Sequence, residues 1–76
     1  MIKEHDRIAL KTNIAAEKLK AGDVGTVVHV HKKGAAFEVE FLTLHGETVT
    51  VATLDASQVG PIQRKEIAHA RLLKAS

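Results

Sequence analysis

Residues 21–41 read AGDVGTVVHVHKKGAAFEVEF. The fold turns on whether this run is a phosphate loop, a histidine metal site, or a turn feeding a hairpin. A Walker loop needs its glycines ahead of a Lys-Ser/Thr at a helix start, and the dinucleotide fingerprint needs G-x-G-x-x-G. Here Gly25 leads into Thr26-Val27-Val28, a β-branched run that favours strand, and Asp23 would oppose an anion. Gly22-Asp23-Val24-Gly25 therefore reads as a turn. Glycines at 22 and 25 permit positive φ. Asp23 is placed to accept a local backbone N–H, as in Asx turns.

Beyond the turn the residues alternate. Phe37, Val39 and Phe41 share one face of a strand over residues 35–41, with Glu38 and Glu40 on the other, the half-buried antiparallel pattern. In the preceding strand, residues 26–31, the same rule predicts Val28 and Val30 inward and Val27, His29 and His31 outward. Lys32-Lys33-Gly34 joins the two.

The reading extends in both directions. Arg7-Ile8-Ala9-Leu10 is a first strand, with Ile8 and Leu10 on one face. Residues 11–21 form a loop with Ile14 and Leu19 as apolar anchors. After a turn at His45-Gly46, residues 47–54 form a fourth strand with Val49 and Val51 inward. Its phase shifts near Ala52 so that Leu54 is also buried, which marks a bulge or a strand end. Asp55 is the N-cap of a single helical or 3₁₀ turn. Residues 59–62 form a short last strand, since Pro61 suits an edge or an end. From Gln63 the period changes: Ile67, Ala70 and Leu72 or Leu73 fit helical spacing. Glu66 lies early in such a helix and Arg71 and Lys74 lie late, as the macrodipole favours.

These elements predict a mainly β chain: a small five-stranded SH3-like barrel over residues 1–62, with a short C-terminal helix or ordered tail over residues 63–76. The expected core is Ile8, Leu10, Leu19, Val24, Val28, Val30, Phe37, Val39, Phe41, Val49, Val51, Leu54 and Val59.

Composition narrows the functions. Seventy-six residues make one domain, and chains of about 60 residues bury only roughly 60% of their surface. With no cysteine there is no disulfide framework and no thiolate metal site. No apolar run approaches the ~20 residues that span a bilayer, and MIKEHDRIAL lacks a signal-peptide core. The expectation is a cytoplasmic protein without a membrane role. Eleven Lys and Arg against nine Asp and Glu are interleaved, not gathered into the basic stripe of a nucleic-acid footprint. Two phenylalanines, with no Trp or Tyr, cannot furnish stacking platforms for single strands or aromatic grooves for proline peptides.

His29 and His31 project on one side of their strand. That spacing can hold zinc or copper if Glu38 or Glu40 supplies a further ligand. The competing reading is a cross-strand histidine–carboxylate pair. A structural site wants four ligands, so no metal or other cofactor is assigned. His5, His45 and His69 are scattered, and the only serines are Ser57 and Ser76. A nucleophile with its adjacent base is therefore not assigned, nor is a pocket of the ~300 Å³ that ligands usually need. The expectation is a non-catalytic protein.

The segments Ala21-Gly22-Asp23-Val24-Gly25-Thr26-Val27-Val28-His29-Val30, Phe37-Glu38-Val39-Glu40-Phe41 and Gly46-Glu47-Thr48-Val49 resemble a family of small bacterial proteins known only as a domain of unknown function. The likeness runs from about Lys3 to Ile67 and is most specific from Gly22 to Val30. It implies an SH3-like barrel and carries over no catalytic residue. A looser likeness, at Gly25-Thr26-Val27, is to the KOW element of ribosomal and transcription proteins.

The functional expectation is a small binding module acting through protein contacts or homo-oligomerisation, with Ile62, Ile67, Leu72 and Leu73 as candidate interface residues. One alternative is a KOW-like RNA- or DNA-binding barrel using Lys32, Lys33, Arg64, Lys65 and Arg71. Another is an oligomeric small-molecule binder with its site between subunits.

Overall fold

A computed structural model describes residues 1–73. Lys74, assigned by its spacing to the basic end of a helix, lies outside the described residues. The protein is mainly β. Its five strands are β1 (Arg7–Leu10), β2 (Val24–His31), β3 (Ala36–Leu42), β4 (Thr48–Asp55) and β5 (Val59–Pro61), with 3₁₀ turns at Ala15–Glu17, Lys32–Gly34 and Ala56–Gln58. They form one antiparallel sheet in the order β4-β3-β2-β1-β5. The sheet is not closed, because β4 and β5 remain its two edges. The Ala56–Gln58 turn steps from one edge to the other in three residues. Asp55 stands at its N-cap, and the Gln58 side chain accepts the Asp55 N–H at 2.8 Å.

The core is Ile8, Leu10, Leu19, Val27, Phe37, Val39, Phe41, Ala52, Leu54 and Val59, with Ile2, Ile14 and Val30 packed against it. Two strands carry a different phase from the one predicted. In β2 the register against β3 slips between Val27 and His29. One extra residue, Val28, is thereby displaced, which flips the faces on either side of it. Val27 is buried, Val28 is exposed and Val30 returns inward. In β4 the partners of Phe41, Val39 and Phe37 are Thr50, Ala52 and Leu54. Directly opposed residues share a face, so Thr50, Ala52 and Leu54 face inward and Val49 and Val51 stand outside. Val24 is also exposed. Thus Val24, Val28, Val49 and Val51 are not core, and Val27 and Ala52 are.

Gly25 is required for a reason other than backbone freedom. Its φ is ordinary, but a Cβ there would lie 2.5 Å from Val39 Cγ1 and 2.9 Å from Phe41 Cε1. Gly22, at φ +93°, is the residue that turns the chain.

No helix forms over residues 63–73. The tail is irregular apart from one turn, in which Glu66 N–H donates to the Gln63 carbonyl at 3.1 Å. A short amphipathic helix needs a surface to pack on, and Ile67 and Leu72 are 92% and 93% exposed. Among the described residues no helix is long and apolar enough to cross a membrane.

Candidate functional site

Three surfaces collect the chemistry. The first is a cleft of about 690 Å³ between residues 13–20, the start of β4 and the end of the tail. Its near wall is a small loop closed by an antiparallel bridge: Ile14 N–H donates to Leu19 O at 2.9 Å, and Leu19 N–H to Ile14 O at 3.0 Å. Lys18, in the left-handed region at φ 58°, reverses the chain inside it. Across the cleft the Thr50 hydroxyl donates to Glu17 Oε1 at 2.6 Å and ties the loop to β4.

At the rim of this cleft Arg71 is seated on Asp23. Its Nε donates to Asp23 Oδ1 at 2.8 Å and one Nη to Oδ2 at 2.5 Å, while the same Nη reaches the Lys18 carbonyl at 3.2 Å. The two-point fork suits a guanidinium on a carboxylate. Asp23 is fixed by its own turn: Lys20 N–H donates to Oδ2 at 2.9 Å, Asp23 N–H to the Lys20 carbonyl, and Leu10 N–H to the Asp23 carbonyl. The Arg71 and Asp23 side chains are only 28% and 17% exposed. Arg71 holds the Asp23 carboxyl below the usual carboxylate range; the Lys20 N–H adds to this and partial burial opposes it. Asp23 in turn raises Arg71 above its ordinary value. The predicted local backbone bond to Asp23 is present, but its donor is Lys20, three residues earlier, and not the later N–H of an Asx turn. Its partner 48 residues away had no local signal.

The second surface is the outer face of β2 and β3. The rings of His29 and His31 meet edge to face, with centroids 4.4 Å apart. His31 Nε2–H donates to Glu38 Oε2 at 2.6 Å, and His29 Nδ1 lies 3.6 Å from Glu4 Oε2. Glu40 instead accepts the Thr48 hydroxyl at 2.8 Å. His31 and Glu38 thus form the cross-strand pair of the sequence reading, whereas the carboxylate near His29 is Glu4, from the segment before β1. Among the described residues no group of three or more His, Cys, Asp or Glu is arranged to hold a metal ion.

The third is the free side of β4. Ala56 N–H donates to the Ala35 carbonyl at 3.0 Å, which fixes the phase of the β3–β4 ladder. Facing pairs alternate between bonded and non-bonded. Thr50, Ala52 and Leu54 therefore direct their backbone groups at β3, whereas Val51 and Thr53 direct theirs away from it. Val49 and Val51 are 37% and 49% exposed, and no charged residue occurs between Thr48 and Leu54.

The predicted site residues divide among these surfaces. Arg71, Leu72 and Leu73 line the cleft; Ile62 and Ile67 are exposed elsewhere along the tail. Lys32 and Lys33 occupy the β2–β3 tip with φ 51° and 56°, a conformation unusual for lysine. Lys33 borders a second cavity of about 420 Å³, beside Met1, Asp6 and Pro61. Arg64 and Lys65 lie in the tail's turn. Arg71 does not join them on a basic helical face, because no helix forms there and its charge is matched by Asp23. Sequence reasoning missed the β4 rim and the Asp23 seat.

No curated protein matches the chain, and no solved structure does. The matching region of the family model instead spans residues 4–61, from the strap before β1 to the end of β5: the chain belongs to the family described as Domain of unknown function (DUF4926).

Proposed function

We propose that this protein is a small non-catalytic binding module that works through protein–protein contacts, including contacts between its own copies, made along the free rim of β4. One observation carries the reading. The rim combines backbone groups at Val51 and Thr53 that have no partner among the described residues with exposed Val49 and Val51, and it has none of the lysine or proline that usually blunts an edge. Such a rim accepts an added strand, with main-chain hydrogen bonds supplying affinity and alternate side chains supplying specificity. We read the sheet as an SH3-like barrel left open between β4 and β5. The strand order and the 3₁₀ turn before the last strand support that.

The test is sedimentation velocity over a wide concentration range, with a pull-down from the native cell, on wild type and Val51→Lys. Self-association or retention of a specific protein that Val51→Lys abolishes, and Arg64→Ala does not, is the expected result. A chain that stays monomeric and retains no protein, or retains only nucleic acid in a salt-sensitive manner, overturns the reading.

A further inference from the structure

The carboxylate and carbonyl that grip Arg71 belong to the folded body, not to the tail. We propose that Asp23 and the Lys18 carbonyl form a binding site for an arginine side chain on an extended segment of a partner protein, with apolar residues after the arginine. The tail fills this site in cis as an internal ligand. The site shares Val49 with the β4 rim, but its grip on the arginine comes from Asp23 and the Lys18 carbonyl and does not rest on the rim reading.

Three observations support the assignment. The seat is held by bonds that do not involve the tail: Lys20 N–H on Asp23 Oδ2, Leu10 N–H on the Asp23 carbonyl, and the Ile14–Leu19 bridge that sets Lys18 in place. A preformed fork keeps the cost of binding a guanidinium low. The tail, by contrast, is thinly attached. Before Arg71 its hydrogen bonds are internal to the turn, Glu66 N–H to Gln63 O and Gln63 N–H to Glu66 Oε1, and its apolar Ile67 and Leu72 stand in water. Finally, the cleft beside the seat retains about 690 Å³ with Arg71, Leu72 and Leu73 already in its wall. Ala15, Ala16 and Val49 border that space, so apolar residues longer than those of the tail have room there.

The unfilled space also decides the source. A second copy's tail would reproduce the cis contact and leave the same space empty, so exchange between copies gains nothing in this cleft. A partner segment with bulkier residues after its arginine gains burial that the tail does not. It must still compete with a tethered arginine, whose effective concentration through a short flexible linker is on the order of millimolar.

The experiment uses the full chain as wild type, Arg71→Ala and Arg71→Ala/Asp23→Asn. Two synthetic peptides serve as probes: IAHARFF, which keeps the chain's own approach to the arginine and enlarges the two residues after it, and the same peptide with lysine for arginine. Amide shifts of Leu19 and Gly22 give the dissociation constants. Arg71→Ala should bind IAHARFF, and wild type should bind it about tenfold or more weakly because its seat is filled. The lysine peptide should bind less well, and the Asp23→Asn double variant should not bind. Asn at 23 retains an oxygen for Lys20 N–H, so the turn persists, which the spectrum verifies. A folded Arg71→Ala protein that fails to bind, or binding that ignores Asp23→Asn or the arginine-to-lysine change, overturns the site. A wild-type dimer that Arg71→Ala dissolves would assign the seat to a second copy and overturn the partner as its source.

Discussion

At the level of single residues, two positions carry the most stringent demands. Gly25 lies where the backbone of β2 presses on Val39 and Phe41, and an added methyl would overlap both side chains. Overpacking of a filled core typically costs about 1–3 kcal/mol. Gly25→Ala should lose stability in that range in urea denaturation, with the slope of the transition unchanged. Asp23 is the other. Its carboxyl titrates below its ordinary value of 3.8 because Arg71, and then the Lys20 N–H, favour the charged form. A depressed folded-state value makes a stabilising contribution that is complete above the unfolded-state value and is lost as pH falls through the folded one. The stability difference between wild type and Asp23→Asn should therefore be constant near neutrality and shrink in acid, measured by chemical denaturation across pH. A difference that grows on acidification would contradict the Arg71 pairing. The turn at Asp23 was legible because the bond to Lys20 is local. The bond to Arg71 was not, since no spacing rule links residues 48 apart.

For whole elements, the question is phase. The period-two pattern located β1 to β4, Pro61 marked β5, and in β3 the alternation also set the faces, because Phe alternates with Glu. In β2 and β4 both phases are apolar. Val27 and Val28 are adjacent and identical, so nothing in their chemistry tells which is displaced at the bulge. In TVTVATL, Val49 and Val51 compete with Ala52 and Leu54, and the larger pair does not win. Pairing with Phe37 and Val39 decides, placing Leu54 and Ala52 over them. Two substitutions in one strand test this. Leu54→Ala removes a side chain that is 2% exposed and should cost about 2–5 kcal/mol. Val51→Ala, at 49% exposure, should change stability by less than about 0.5 kcal/mol. Equal losses in thermal or urea melts would mean the opposite face is buried. The tail shows the converse error. Helical spacing was present, but spacing alone gives no surface to bury against, and Ile67 and Leu72 found none.

On the scale of the molecule, stability resides in the sheet and its loops over residues 2–61, the segments that contribute the core. The tail adds one salt-linked attachment and little buried area. Leu72→Asp should accordingly leave the thermal midpoint unchanged, and proteolysis should trim the chain behind Pro61 before it cuts the sheet. A lowered midpoint in Leu72→Asp would show that the tail packs more closely than its exposure indicates. The five strands and a mainly β fold were accessible from sequence because they follow from local alternation and turn chemistry, whereas the strand order, with β5 paired to β1, has no local signal. The open seam between β4 and β5 was not, since closure depends on how far the curling sheet brings its borders together.

That seam has a practical side. A border of valine and threonine with no charge from Thr48 to Leu54 to repel a neighbour stays adhesive whether or not its intended companion is present. Protein made in excess should reach a solubility ceiling, and turbidity should begin there with strands stacking border to border.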